Sequence, residues 1–402
     1  MKILLATSRY PWPPRRGDQM RAVQMLDALS AGHEITLLTP EPGPGQPAPP
    51  TDAPFRVETY RLHRDLSLLA GFGRALWKNL PFQSGLFYQP DLGRRLRQLS
   101  SQADLGILQL VRLAIHLEDF GRVPLLVDLI DSLSLSFSLR ADVDRLWMRL
   151  PLRLEARLLA LWERRLIVRA ARVLVVCERD RQTLENRLPR ALSDKVSAVR
   201  LAIGPIEPPA AGEPLAVLRG EGPILAMTGN LGYFVNADAV TWWLREVWPV
   251  LRRVRPGLRV VVAGDRPARG VRRAVREAGG EVELIASPRD LPAILRQATL
   301  ALAPMRCGAG VPIKVLEAWA CGVPVVASPW AVAGTSGRQG EDFRVVGQHP
   351  IDWVSAIQEL LDSPGERQRL ADNGRRRLAA DYSRETVYAQ LRGVVDDLAA
   401  GH

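Results

Sequence analysis

Apolar residues in the first half of the chain gather into short runs of five to seven residues: Lys2–Thr7, Glu34–Thr39, Phe55–Tyr60, Asp104–Leu110, Pro124–Ile130 and Val173–Cys177. Runs this short and this rich in Val, Ile and Leu predict buried strands. Between them lie stretches with a helical period. Gln19–Ser30 sets Met20, Val23, Leu26, Ala28 and Leu29 mostly on one side and ends before Gly32; Ala70–Leu99, Arg140–Arg172 and Glu178–Leu188 also read as helical. From Lys195 to Pro223 periodicity stops, broken by Gly204, Pro205, Pro208, Pro209, Gly212 and Pro214, and this stretch predicts a domain linker. The alternation then restarts. Ile224–Thr228, Arg259–Ala263, Glu281–Ile285, Thr299–Ala303 and Val323–Ala327 predict strands, with helices over about Asn236–Arg253, after Asp265, after the cap Asp290 and from Pro312 to Gly322. Ile351–Leu398 reads as helix broken near Pro364 and Asp381. Strands alternating with helices in both halves predict two α/β domains built on parallel sheets. The expected division is 1–205, 206–380, and a C-terminal helix at 381–402 packing back on the first domain.

At 402 residues the chain has room for two domains with separate cores. Its 47% hydrophobic and 24% charged content is that of a globular protein, and no apolar run reaches the ~20 residues that span a bilayer. The three cysteines, Cys177, Cys307 and Cys321, have no disulfide or zinc spacing, so a reducing cytoplasm is expected. The net charge of +11, carried mostly by arginine, suits an anionic small substrate or an anionic membrane surface. Nucleic acid is the weakest candidate, because there is no zinc finger, RNP sequence or basic tail. Arg140–Arg172 sets Arg145, Arg149, Arg153, Arg157, Arg164, Arg165 and Arg169 among leucines, which describes either a membrane-surface helix or a solvated face.

Candidate chemistry concentrates in Met305–Ser328, which reads strand, glycine loop, helix, strand. Gly308 and Gly310 feed a helix starting near Pro312, whose N-terminal amides and dipole favour an anion. Lys314 lies in the first turn, Arg306 flanks the loop, and Glu317 shares the face of Lys314 by i, i+3 spacing. A phosphate at the helix mouth with a carboxylate deeper in for sugar hydroxyls is one reading. An ordinary turn followed by a surface ion pair is the other. In the first half, Gly17 opens a helix after a Pro- and Arg-rich loop, where it serves a turn or close ligand approach. Gln109, Arg112 and His116 follow one strand; Asp128, Asp131 and Ser132 end the next, where a buried Asp needs a partner or a cleft. His116 is expected at the surface. The aromatics Trp77, Phe82, Phe87 and Tyr88, with Leu80, suit packing better than an acceptor site. No G-x-G-x-x-G follows a strand, which disfavours a dehydrogenase.

The segments G-A-G-V-P-I-K-V-L-E-A-W-A-C-G-V-P-V-V-A, M-T-G-N-L-G-Y-F-V-N-A-D-A from Met227, V-V-C-E-R-D after Val175, the loop ending in Gly17 and the strand after His33 together resemble the GT-B glycosyltransferases of retaining family 4, glycosyl transferases group 1. The resemblance covers nearly the whole chain, and the first segment is the most specific. It implies two doubly wound Rossmann-like domains facing a central cleft, the second binding a nucleoside diphosphate sugar of UDP or GDP type. By it, Glu317 holds the ribose; Gly308, Ala309, Gly310, Val311 and Val315 belong to the donor loop; Lys314 and Arg306 meet the diphosphate; Gly17, Gly229 and Asn230 line the cleft; and Asp131 is the first-domain catalytic candidate. Sugar would pass with retention to a glycan or lipid-linked acceptor, in polysaccharide or cell-envelope synthesis, without a metal. Work in the cytoplasm is expected, with peripheral membrane contact through Arg140–Arg172. The chain departs from many relatives where Ala309 replaces a glutamate eight residues before Glu317, where Asn230 and Asn236 replace an arginine and a lysine, and where Gln109 and Asp131 stand near the place of a strand-end histidine. Two rivals keep the same fold: a nucleotide-sugar epimerase-like isomerase, and a non-catalytic sugar-nucleotide binder suggested by Ala309.

Overall fold

The computed structural model describes residues 1–62, 80–204, 206, 218 and 221–400. Trp77 and the linker residues Pro205, Pro208, Pro209, Gly212 and Pro214 lie outside them. The chain forms two units, Met1–Ala202 with Arg384–His402, and Ile203–Ser383.

Seven strands make the sheet of the first unit: β1 (Lys2–Ala6), β2 (Glu34–Pro40), β3 (Arg56–Tyr60), β4 (Leu105–Gln109), β5 (Leu125–Ile130), β6 (Arg172–Val175) and β7 (Val196–Ala198). Their order is β3-β2-β1-β4-β5-β6-β7, and every pairing is parallel. Parallel strands are covered on both faces, which is why β4 and β5 are buried at every position. Alternate residues feed two cores. Ile3, Leu5, Leu37 and Ile107 meet Met25, Leu26 and Leu29 of the Gly17–Leu29 helix, together with Val387, Leu391 and Val395 of the Arg384–Ala400 helix. On the opposite face Leu4, Leu108, Val127 and Val173 meet Leu159, Leu166 and Ile167. The C-terminal helix is thus part of the first unit.

The second unit has six strands, β8 (Ile224–Thr228), β9 (Arg259–Gly264), β10 (Val282–Ala286), β11 (Leu300–Ala303), β12 (Val325–Ala327) and β13 (Arg344–Val345). Their order β10-β9-β8-β11-β12-β13 repeats the first six positions of the other sheet, again all parallel. Trp243, Trp248 and Trp353 fill its core beside Val260 and Val262. Trp319 packs where Gly374 has no side chain: a Cβ there would come within 2.3 Å of the indole.

Three details differ from the sequence reading. The first residues assigned to the linker form β7, a three-residue strand too short to show a period. Arg140–Arg172 is not one helix: Leu133–Val143 and Leu146–Arg169 are separated at Asp144, whose extended backbone lets its carboxylate accept from the Arg140 guanidinium (2.9 Å) and the Arg145 amide (2.8 Å). Asn236–Arg253 likewise divides into Phe234–Glu246 and Trp248–Val254, with Pro249 in the first turn of the latter, where a missing N–H is tolerated.

Candidate active site

The carboxyl ends of β8, β9 and β11 converge in the second unit, the place where open α/β sheets hold ligands. Gly229 follows β8 with φ 134°, and its amide donates to the Ala263 carbonyl of β9 at 3.2 Å. Leu231 donates to the Asp265 carbonyl at 2.9 Å, pinning the loop to the end of β9. At Gly264 a Cβ would lie 1.7 Å from the Gly229 carbonyl oxygen, so only glycine permits this approach. The Asn236 amide then works both ways. Its Nδ2 donates to the Asn230 carbonyl at 3.0 Å, while its Oδ1 accepts from Lys314 Nζ at 2.5 Å. A Cβ at Gly229 would stand 3.1 Å from Asn236 Nδ2 and 3.4 Å from Lys314 Cε, so this glycine leaves room for the Lys314–Asn236 pair.

Lys314 projects from the first turn of the Ile313–Ala320 helix, which follows the left-handed glycines Gly308 (φ 134°) and Gly310 (φ 70°). No side chain caps that helix. Burial lowers the Lys314 pKa to about 8, while the Glu317 carboxylate one turn on pulls it back upward. Burial also raises the Glu317 pKa, with Lys314 opposing. Arg306 reaches Asp238 with both arms of its guanidinium, Nε at 2.8 Å and Nη2 at 2.6 Å, and this raises its pKa. Asp238 is a site neighbour the sequence reading missed; its signal was its place two residues after Asn236 in the same helix. The structure therefore brings together Gly229, Asn230, Asn236 and Lys314, with Glu317 beside Lys314. Ala309 is partly buried and brings no carboxylate, and Val315 is fully buried in the packing of its helix.

In the first unit, carboxylates gather at the ends of β5 and β6. Leu110 (φ 70°) and Ile130 (φ 66°) follow or end their strands in the left-handed region, a strained conformation for branched side chains that concentrates at functional sites. Asp131 follows Ile130 and is partly buried. Its pKa rises to about 7 through burial and then the charge of Asp180, with Arg112 opposing. Glu163 also rises to about 7 by burial, although the Ser134 hydroxyl (2.5 Å) and amide (3.0 Å) both donate to it. Asp180, the aspartate of V-V-C-E-R-D, accepts from the Ser132 amide at 2.9 Å. The electrostatic influence of Asp18 on Asp131 places the start of the Gly17–Leu29 helix at the same edge, and the Gln109 amide donates to the Asp18 carbonyl at 3.1 Å. Gly17 itself is an ordinary helical residue, so a turn with positive φ is not its role. Glu163 and Asp180 were not singled out in the sequence, because their carboxylates come from different elements. Asp128 has the partner it needed: Arg21 Nε at 3.2 Å, both side chains wholly buried.

His116 is a correction. It is buried at 1% exposure, with Nδ1 2.8 Å from Asp119 and Nε2 accepting from the Gln89 amide at 3.2 Å. Gly93 of the Pro90–Ser100 helix makes this possible, since a Cβ there would lie 2.7 Å from an Asp119 oxygen and 3.3 Å from the imidazole. Tyr88 stacks on the ring at 5.7 Å and Arg112 lies 5.5 Å over Phe87.

Two doubly wound parallel sheets, the second with a glycine loop and a basic residue at a helix start, define the GT-B class. The family described as Glycosyl transferase 4-like domain matches residues 17–200, and that described as Glycosyl transferases group 1 matches residues 222–363. The chain belongs to this glycosyl transferases group 1 family. Among its relatives is an MMP alpha-(1->4)-mannosyltransferase of Mycolicibacterium hassiacum, 38% identical over 28% of this chain and 28% of that one. A phosphatidyl-myo-inositol mannosyltransferase of Propionibacterium freudenreichii is 30% identical over 46% and 49%. The matches thus span from about a quarter to half of these relatives' lengths. Similar solved structures include sucrose-phosphate synthase from Thermosynechococcus elongatus (TM-score 0.75, 17% identity, all of both chains) and Anabaena HepE in complex with UDP-glucose (TM-score 0.65, 12% identity, 99% of this chain and 100% of that one).

Proposed function

We propose that this chain is a glycosyltransferase that moves a sugar from a UDP- or GDP-type nucleotide sugar to a glycan or lipid-linked acceptor, with retention of anomeric configuration. The observation that carries the donor reading is the meeting of Lys314 and Asn236 in front of Gly229, at the uncapped start of the Ile313–Ala320 helix. In the proposed complex Glu317 accepts hydrogen bonds from the ribose hydroxyls. Lys314 and the helix-start amides face the diphosphate and stabilise the charge that develops as it leaves. Arg306 joins them, oriented by Asp238. The mannosyltransferase names among the relatives and the UDP-glucose in a structural neighbour support a nucleotide-sugar donor. On the first unit, the Asp131–Glu163–Asp180 edge supplies acceptors for sugar hydroxyls. The reading places the reaction in the cytoplasm, at polysaccharide or envelope synthesis, with the enzyme peripheral to the membrane; among the described residues no helix is long and apolar enough to cross a bilayer.

Turnover of a UDP- and GDP-sugar panel, with and without a mixed glycan and lipid-linked acceptor pool, tests this. Acceptor-dependent release of nucleoside diphosphate, with an axial or equatorial product bond matching that of the donor, is expected. Conversion of the donor to an isomer in the absence of acceptor would replace the transferase with the isomerase. Binding without turnover would leave only a sugar-nucleotide binder.

A further inference from the structure

Ten large apolar side chains stand exposed among the described residues, and six of them lie on one helix, Leu146–Arg169: Leu146, Trp147, Leu150, Leu154, Leu161 and Val168. At ~100° per residue these six fall within ~100° of arc, unbroken over Leu146–Leu154 and shared further along with the exposed Arg157, Arg164 and Arg165. Its first two turns are the most open, with Leu146, Trp147 and Leu150 exposed to 76%, 68% and 78%. The opposite face is ordinary core, where Leu152, Leu159 and Leu166 are buried. A helix that is apolar on both faces, in a unit whose sheet it already covers, has a second surface to place.

Charge decides what that surface suits. Arg149 and Arg153 are exposed along one border of the stripe, and Arg157, Arg164 and Arg165 are exposed within its second half. The helix has two carboxylates, Glu155 and Glu163, and both are buried on its inner side. A nearby acid, Asp142, sits 3.4 Å from Arg153 with both groups mostly exposed, a contact of little strength in water. An apolar strip with a tryptophan at its most exposed end, bordered by arginines and free of acids, has the composition of a helix lying in the headgroup layer of an anionic membrane. A second copy of this chain fits less well, since self-apposition would bring the arginine rows together.

We propose that the outer face of the Leu146–Arg169 helix docks the protein on an anionic lipid bilayer, with Leu146, Trp147 and Leu150 entering the interface and the arginines meeting lipid phosphates. This sharpens a membrane contact that the sequence placed only broadly along Arg140–Arg172. It does not depend on the donor site, and its readout involves no nucleotide.

Flotation of the full chain with vesicles of phosphatidylcholine alone or with about one third phosphatidylglycerol tests it, alongside a W147S/L150S double variant and an Arg149→Ser/Arg153→Ser double variant. These side chains are exposed, so both variants keep the fold, which circular dichroism checks. The expected result is flotation with anionic vesicles only, at least tenfold weaker for each double variant, and weaker for the wild type in ~0.5 M salt because the arginine contribution is screened. Wild-type chain that stays at the bottom of the gradient with anionic vesicles overturns the proposal. So does flotation that the Trp147/Leu150 change leaves unaltered. A lipid-free dimer in sedimentation equilibrium that W147S/L150S dissociates would also overturn it, by assigning the stripe to a second copy.

Discussion

The two units share a strand order but carry opposite chemistry at the carboxyl ends of their sheets. In the second, the left-handed Gly229 leaves room for Lys314 and Asn236, and two cations, Lys314 and Arg306, stand with Glu317 and Asp238. In the first, Leu110 and Ile130 hold strained backbone without glycine, and Asp131, Glu163 and Asp180 dominate. Topology locates a site in each; side-chain type decides what each can hold. Glycine removes steric bulk for a large anion, whereas carboxylates kept close to neutrality suit hydroxyl groups. On the proposed reading, the same fold carries an anion site once and a hydroxyl site once.

The largest effect that would break this contrast lies at Glu317. Glu317→Ala should lower the turnover of the preferred nucleotide sugar by about 100-fold, the scale of one or two hydrogen bonds to a charged group; steady-state kinetics checks it, and full activity would remove the ribose role. Gly229→Ala comes next. The left-handed backbone and the approach to Asn236 and Lys314 together should cost about 1–3 kcal/mol of stability, and nucleoside diphosphate affinity should fall with it. Urea unfolding with a parallel binding titration measures both. If stability falls while affinity holds, Gly229 is structural only.

A third effect depends on pH. The folded pKa of Asp131 is raised to about 7, so its native carboxyl stays protonated while the unfolded chain ionises from about 4 upward. Its contribution to stability is therefore fully present at acid pH and is lost as pH rises toward 7. Asp131→Asn should change the melting temperature little near pH 4 and raise it relative to wild type at pH 8. A melting difference that does not vary with pH would show that this edge is not the strained acid cluster described. The smallest expected effect is at Asp238: Asp238→Asn should keep the fold and weaken donor binding a few-fold by loosening Arg306. An unchanged affinity would detach Arg306 from the anion side.

Much of this was legible in the sequence because strands buried on both faces read as continuous apolar runs. β1, β4, β5, β8 and β9 were each visible in that way. β7 and β13, at three and two residues, carry no period to detect. In the second unit the site is largely local: Gly308, Gly310, Lys314 and Glu317 fall within ten residues, so spacing alone suggests a shared purpose. The Lys314–Asn236 and Arg306–Asp238 pairs join elements 78 and 68 residues apart, and that pairing appears only once the sheet brings β8 and β11 together. The first unit's edge was less visible for the same reason, with Asp18, Asp131, Glu163 and Asp180 arriving from four separate elements. His116 shows the limit from the other side. His116 was expected at the surface, and what lets it be buried is the missing side chain at Gly93 on another helix.

The central claim is that Lys314 faces a diphosphate, and calorimetric titration of UDP and GDP from pH 7 to pH 9 tests it most directly. With its pKa lowered to about 8, Lys314 loses its proton across this range, so wild-type affinity should fall about tenfold. Lys314→Ala should bind at least tenfold more weakly at pH 7, with the pH dependence largely gone. Equal affinities for the two proteins at pH 7, with the same pH profile, would contradict the account.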